Sequence, residues 1–178
     1  MDSLEQQVKE KFAEFEATRN PTPVYEALNL IEAAEAPMPI EDVAARKVAV
    51  SRRLTFFAAL DRNIDPTWDS TNVPVMGVPA PLPHGDVYGS GEVDPETIPD
   101  PEVRARYVEA LKANKEEHQQ YFVQSQLRSI DERALRFFER LLADRYTDSP
   151  ADQAEFEELL AASSASDARK AQLRALMP

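Results

Sequence analysis

Residues 63–103 read NIDPTWDSTNVPVMGVPAPLPHGDVYGSGEVDPETIPDPEV. We expect this stretch to separate two helical parts of the chain. It contains no Lys or Arg, eight of the chain's 32 acidic residues, all four glycines, eight of the 14 prolines and the only Trp. Its charge is therefore −8 out of a net −12. Because proline and glycine disfavour a continuous helix, we expect an irregular acidic segment here, which we call the strap.

The strap also carries many apolar residues, which distinguishes it from an ordinary disordered linker. Disorder requires low hydrophobicity as well as charge. We therefore expect the strap to lie extended across the helices, with Asp94 capping a single turn that ends near Thr97. The interspersed apolar residues are Ile64, Trp68, Val73, Val75, Met76, Val78, Leu82, Val87, Tyr88, Val93 and Ile98.

Capping residues and apolar spacing predict helices on both sides of the strap. Ser3, Asp100 and Ser149 stand where an N-cap side chain would precede apolar residues at helical spacing. Thr22, which precedes a proline, is predicted to cap a second helix, and Asp42 to lie in the first turn of a third. The predicted helices cover residues 4–18, 22–36, 39–62, 101–128, 130–146, 150–162 and 167–176.

The boundary between two of these helices rests on a single signal. Neither Pro nor Gly occurs between Pro101 and Pro150, so about 46 residues could form one helix. Such a helix would extend about 70 Å, several times what one small core can cover. Ser129 and Glu132 match the S-x-x-E capping box, so we expect a break at Ser129.

Together these elements predict an all-α fold: a single helical-bundle-like domain over residues 1–178, with about six helices and the strap packed across it. A chain of 178 residues is long enough for one such core. No stretch approaches the ~20 apolar residues that span a bilayer, and residues 1–10 do not resemble a signal peptide. With no Cys in the chain, we expect a cytoplasmic protein without a membrane partner.

Few residues suggest catalysis or metal binding. His84 lies in the strap, whereas His118 shares one face of the long helix with Asn114, Tyr121 and Ser125. The chain has no Cys, no H-E-x-x-H and no E-x-x-H, so we predict neither a metal site nor a cofactor. His118 and Tyr121 are the candidates for catalysis in a cleft between the long helix and the strap. Alternatively, His118 is a half-buried residue that a neighbour satisfies.

Arginines on the two helices that flank the strap offer partners for its carboxylates. They are Arg52, Arg53, Arg104, Arg106, Arg128, Arg133, Arg136, Arg140 and Arg145. In one interpretation, some of these arginines hold the strap down through ion pairs and bidentate hydrogen bonds with its carboxylates. In the other, the acids point outwards and meet a basic partner protein, with Trp68 either as a contact anchor or as a pin that holds the strap. The residues predicted to bind this partner are Trp68, Asp86, Tyr88, Glu92, Asp94 and Glu96.

The absence of a catalytic motif favours a non-enzymatic protein–protein interaction module, of an inhibitor or immunity type, that binds a basic protein. One alternative is an enzyme or small-ligand-binding protein that uses the cleft between helix 101–146 and the strap. Another is a structural subunit that self-associates through apolar helix faces into a homo-oligomer. The net charge of −12 disfavours nucleic acid as a partner, because that binding depends on Lys and Arg.

Overall fold

The computed structural model describes residues 3–39, 41–75, 77–78, 80–81, 87–88 and 92–178. The predicted all-α fold is confirmed, with six α-helices in the described part of the chain. They are α1 Leu4–Thr18, α2 Thr22–Glu35, α3 Val43–Asp61, α4 Pro101–Arg145, α5 Pro150–Ala162 and α6 Asp167–Arg174. The strap contains a 3-10 turn, Pro95–Thr97, and two-residue strands β1 Ala80–Pro81 and β2 Val87–Tyr88, which pair antiparallel. Among the described helices, none is long and apolar enough to cross a membrane.

Three predicted caps form as expected. The Ser3 hydroxyl accepts a hydrogen bond from the backbone N–H of Gln6 at 3.2 Å, and Ser149 makes the same contact at the start of α5. The Asp100 carboxylate accepts from the N–H groups of Glu102 and Val103 at 2.9 and 3.2 Å. Each cap satisfies an N–H that has no partner within its own helix.

Two predicted roles at helix starts were wrong, and the third helix begins at Val43 rather than at residue 39. Thr22 does not cap α2 but is its first residue, with Pro21 at the N-cap, and the Asn20 side chain accepts from the Thr22 N–H at 3.1 Å. Asp42 is the N-cap of α3 rather than part of its first turn, and it accepts from the Ala45 N–H at 2.9 Å. An acid at the cap both satisfies a free N–H and lies at the positive end of the helix dipole.

The predicted break at Ser129 was also wrong, because α4 is one helix of 45 residues. Ser129 and Glu132 are exposed and compatible with a helix interior, and neither Pro nor Gly interrupts the segment. The expectation of a break assumed that a single core must cover the whole helix. Instead, the first part of α4, up to Ser125, is in contact with one compact unit, and the remainder is in contact with another.

Residue contacts divide the chain into two compact units. Unit 1 comprises Met1–Asp65 and Gln126–Pro178, and unit 2 comprises Pro66–Ser125. The first part of α4 therefore belongs to unit 2 and the remainder to unit 1. That the chain is a single domain stays a prediction.

Unit 1 is a helical bundle with an aromatic core. Phe12, Phe56, Phe57, Phe138 and Phe156 are buried, and successive rings lie 5.5–6.2 Å apart between centroids. Edge-to-face and tilted arrangements at such distances stabilise a core beyond the effect of area burial alone. The second half of α3 supplies two of these rings, as its apolar sequence predicts.

Candidate functional site

In unit 2, side chains of α4 hold the strap by its backbone carbonyl groups. Asn114 Nδ2 and His118 Nε2 both bond the Val75 carbonyl oxygen, at 2.9 and 2.8 Å. The Tyr121 hydroxyl donates to the Ser70 carbonyl at 2.7 Å. Because a carbonyl oxygen can only accept, Nε2 of His118 must carry a proton in this contact. We call these side chains, together with Tyr107 and Arg104, the clamp.

Tyr107 and Arg104 extend the clamp towards the start of α4. The Tyr107 side chain is only 4% exposed, and its hydroxyl donates to the Val78 carbonyl at 3.2 Å and accepts from the Val93 N–H at 3.0 Å. The Arg104 guanidinium donates two hydrogen bonds to the Ile98 carbonyl, at 3.0 and 2.8 Å. An irregular segment satisfies only part of its own backbone groups, and here side chains of α4 satisfy several of the others.

Trp68 contacts α4. Its ring lies 5.4 Å from the Tyr121 ring, and the side chain is half-buried. The indole Nε1 is buried and has no hydrogen-bond partner among the residues that the structure describes. The interpretation of Trp68 as a pin for the strap is confirmed, whereas its role as a contact for a partner protein stays a prediction.

Arginine–carboxylate pairs contribute little to docking the strap within unit 2. Over the described residues of this unit, the salt bridges are Arg104 with Glu96 and Arg106 with Glu102, each at 3.9 Å. Arg104 is half-buried, whereas the other three side chains lie largely in solvent. Exposed pairs of this kind contribute about 0–1 kcal/mol. Two of the predicted arginine–carboxylate pairs therefore form but are weak, and over the described residues of this unit the strap is held mainly by hydrogen bonds to its backbone.

Two strap carboxylates satisfy nearby backbone groups. Asp69 accepts from the Thr71 N–H and from its hydroxyl, both at 2.8 Å, and these hydrogen bonds lower the pKa of Asp69. Asp94 accepts from the Glu96 N–H at 3.0 Å and begins the turn Pro95–Thr97, which confirms the prediction for that turn. These acids are therefore structural as well as charged.

The clamp leaves apolar and acidic side chains of the strap in solvent. Val73 and Val75 are 61% and 75% exposed, and Glu92 and Glu96 are exposed beyond them in sequence. Large aliphatic side chains at such exposure are available to a partner.

The structure describes only some of the residues predicted to bind that partner. Trp68, Glu92, Asp94 and Glu96 lie in the described part of the strap, and the three acids are exposed. Asp86 lies outside the described residues, as do His84 and the side chain of Tyr88.

A cavity of about 530 Å³ in unit 2 corresponds to the predicted cleft between the long helix and the strap. His118 lines it, but its Nε2 is already bonded to the Val75 carbonyl. The interpretation of His118 as a half-buried histidine that a neighbour satisfies is thus confirmed, and catalysis by His118 and Tyr121 stays a prediction. The lining residues are Gly77, Glu92, Leu111, Lys112, Asn114, Lys115 and His118.

Unit 1 contains a larger groove, of about 730 Å³, that no sequence motif indicates. It lies between α1 and α3, with apolar residues such as Phe12 and Ala59 in its lining and Lys9, Lys47 and Arg62 among its charged residues. Amphipathic spacing marks each helix separately. It does not show which two helices lie side by side, so sequence reasoning missed this groove.

Buried arginine and carboxylate side chains form ion pairs in unit 1. The Arg53 and Glu35 side chains are 2% and 8% exposed, and the guanidinium donates to both carboxylate oxygens at 2.6–3.1 Å. Arg169 on α6 lies 2.5 Å from Asp61 and 2.8 Å from Asp131. Burial raises the pKa of Asp131, although the charge of Arg169 opposes that rise. These pairs join separate helices and are structural.

Comparison with known proteins gives no assignment for either site. The chain matches no protein-family model, and neither a curated protein nor a solved structure is significantly similar to it. A function for the strap, the cavity or the groove therefore has to be argued from the residues themselves.

Proposed function

We propose that the chain is a non-enzymatic protein-binding module and that unit 2 presents the strap to a basic partner protein. The observation that supports this proposal is made at Val75. The carbonyl of Val75 accepts hydrogen bonds from two α4 side chains, while its own side chain is 75% exposed. The strap is thus held through its backbone, and its side chains stay available for a partner.

Holding the strap in advance lowers the entropic cost of binding. An extended segment that is already ordered loses less conformational freedom when a partner covers it. The clamp fixes the strap at Ser70, Val75, Val78 and Ile98, so the described part is restrained along its length. Less of the binding free energy from the exposed side chains is therefore lost to ordering the strap.

The chemistry of the exposed strap defines the partner. The exposed Val73 and Val75 suit an apolar patch on the partner, and the exposed Glu92 and Glu96, which follow them in sequence, suit Lys or Arg. The strap carries −8 without any basic residue, so its field attracts a basic surface over a distance of about one Debye length, ~8–10 Å. These features support a basic protein as the partner.

Site-specific cross-linking tests where the partner binds. A photoreactive amino acid in place of Val75 should cross-link a defined protein in an extract of the native cell. The same amino acid at Ala161, an exposed position of unit 1, serves as the control. We expect a cross-linked product that forms only at position 75, and the partner protein in it should be rich in basic residues. Identical products at both positions, or none at position 75, would contradict it.

Charge neutralisation tests how the partner is recognised. Glu92, Glu96 and Glu102 are exposed and cap nothing, so changing all three to Gln removes charge without removing a cap. We expect capture to fall several-fold at low salt and its salt dependence to flatten. The control changes the same number of exposed acids in unit 1: Glu139→Gln, Asp144→Asn and Glu158→Gln. Equal loss in both variants would show a general effect of net charge and exclude recognition through the strap.

The cavity of unit 2 supports a second candidate function, the binding of a small anion. Lys112 and Lys115 line it and are exposed, and neither has an ion-pair partner within the described residues. Calorimetric titration with inorganic phosphate should show binding that Lys112→Ala with Lys115→Ala abolishes. Absence of heat with the wild-type chain would exclude phosphate binding there, and an unchanged signal in the variant would exclude this cavity.

A further inference from the structure

The groove between α1 and α3 combines an apolar floor with a basic rim. Val8, Phe12 and Ala59 form the floor, and Val48 is an exposed apolar residue at its edge. Two helices that lie side by side with such a floor leave room for a third helix to pack along them. In the described chain this position is open, because the groove has a volume of about 730 Å³.

Of the four cations that line this groove, two make no ion pair within the described part of the chain. The side chains of Lys9 and Arg62 are exposed and make neither an ion pair nor a hydrogen bond with any other residue that the structure describes. Lys47 lies 3.7 Å from Glu155 but remains 48% exposed. The fourth lining cation, Arg52, is paired with Glu5 at 2.9 Å. Lys9 and Arg62 therefore remain without an ion-pair partner among the described residues, and the lining acids are Glu5, which pairs with Arg52, and Glu16.

The position of these cations indicates the length of the occupant. Contacts of Glu5 with Arg52 and of Glu16 with Asn63 show that α1 and α3 run in the same direction along the groove. The lining residues of α3 extend from Lys47 to Arg62, which is about 22 Å at 1.5 Å per residue. Basic residues thus stand towards both ends of the groove, and the acid Glu16 lies at the Arg62 end.

An occupant with a single carboxylate can meet only one of these ends. A fatty acid would place its head group at one end and leave the other basic residues without an acid. A helix of three to four turns can instead present acidic side chains along its whole length, beside an apolar stripe at i, i+3, i+4 and i+7. From these observations we infer that the groove is a docking site for an acidic amphipathic helix of a partner protein.

This docking site is independent of the strap. It lies in unit 1 and selects an acidic partner segment, whereas the strap in unit 2 selects a basic one. The acidic helix and the basic surface could belong to one partner or to two. Failure of either interaction leaves the other intact, so the two proposals can be tested separately.

A displayed library of 18-residue helical peptides tests the inference on the full-length chain. The peptides keep Leu at i, i+3, i+4 and i+7 and carry flanking positions randomised among Asp, Glu, Lys and Ser. Selection should enrich peptides with several flanking acids, whose affinities fluorescence anisotropy then measures. Enrichment of neutral or basic peptides, or of none, would overturn the inference.

Charge reversal at the rim identifies the site. We expect Lys9→Glu with Arg62→Glu to weaken the selected peptides by about tenfold or more, because two attractive contacts become repulsive. The control, Arg136→Glu with Arg140→Glu, makes the same change in net charge on α4, outside the groove. Equal weakening by both variants would show only a long-range effect of charge and would overturn the inference.

Two further measurements test whether the peptide lies in the groove itself. Thr55 is exposed within the groove, so Thr55→Trp should block the peptide without changing any charge. The triple Gln variant of Glu92, Glu96 and Glu102 should leave peptide affinity unchanged, because the strap is not involved. Full affinity in Thr55→Trp, or displacement of the peptide by micromolar laurate, would overturn the proposed occupant.

Discussion

In unit 1 buried charged side chains pair with one another between helices, whereas in unit 2 polar side chains of α4 bind the backbone of the strap. Arg53 with Glu35 and Arg169 with Asp61 represent the first arrangement. The bonds of Tyr107 and His118 to strap carbonyls represent the second. The difference follows from the backbone: a helix satisfies its own N–H and C=O groups, but an irregular segment has to find partners elsewhere.

The two arrangements also differ in how much stability is lost when one partner is removed. Breaking a buried ion pair leaves a charge in the interior, so the loss of one partner destabilises the whole unit. Losing one hydrogen bond from the clamp frees a carbonyl that water can often reach, so the effect stays smaller and local. Variants in the two units should therefore differ in how much stability they lose and in how much of the chain is affected.

The largest expected effect comes from the Arg53–Glu35 pair. Arg53→Met leaves the Glu35 carboxylate buried without its partner and should lower the free energy of unfolding by about 3–5 kcal/mol. Urea unfolding followed by circular dichroism measures this loss. Arg53→Met with Glu35→Leu removes both charges and should restore most of the stability. A single variant that loses less than about 1 kcal/mol would show that the pair does not stabilise unit 1.

A smaller and local effect is expected at Tyr107. Tyr107→Phe removes the hydroxyl that donates to the Val78 carbonyl and accepts from the Val93 N–H. The free energy of local opening of the strap should therefore fall by about 1–3 kcal/mol. Hydrogen exchange at the Val93 amide measures it. Tyr121→Phe, which removes one hydrogen bond at a more exposed side chain, is the comparison and should change exchange less. Both variants should accelerate exchange at Val93 more than in the core of unit 1, and the reverse would contradict a local clamp.

Asn114 and His118 test whether the clamp is redundant at Val75. Both side chains bond the same carbonyl, so Asn114→Ala or His118→Ala alone leaves one donor and should cost less than about 1 kcal/mol. The double variant leaves the carbonyl without either donor, and its effect should exceed the sum of the two. The rate of limited proteolysis within the strap reports the change. Additive effects would mean that the two donors act independently.

The smallest expected effect concerns the turn at Asp69. Hydrogen bonds from Thr71 hold the pKa of Asp69 below its ordinary value of 3.8 in the folded chain. Its contribution to the turn is therefore complete above that value and is lost as the pH falls through the lower folded pKa. A carbon-detected NMR titration of the Asp69 carboxyl should give a midpoint below 3.8. In Thr71→Val, which keeps the N–H but lacks the hydroxyl, the midpoint should move upwards, and an unchanged midpoint would argue against that bond.

The fold was largely predictable because its signals act over a few residues. Ser3, Asp100 and Ser149 cap the helices they were expected to cap, and the bounds of α1 and α5 agree with the predicted ones. The break at Ser129 was wrongly predicted, since an S-x-x-E sequence is equally compatible with a cap and with a helix interior. Only the packing of the surrounding turns distinguishes the two.

The candidate sites were less predictable. Composition showed that the strap is acidic and that arginines flank it, but Arg53 pairs with Glu35 and Arg133 with Glu32, both within unit 1. The row Asn114, His118 and Tyr121 was visible as one polar face, yet nothing in the sequence identified backbone carbonyls as its partners. Charge totals do not specify which groups meet.

By itself, the sequence determined where helices form and where they cannot, because prolines, glycines and caps act on the local backbone. It also determined that the strap would be acidic and would need a surface to lie on. The tertiary structure decided which groups meet across the chain: His118 with a carbonyl 43 residues away, and Arg169 with a carboxylate 108 residues away. Such contacts depend on the packing of whole elements, which no local pattern encodes.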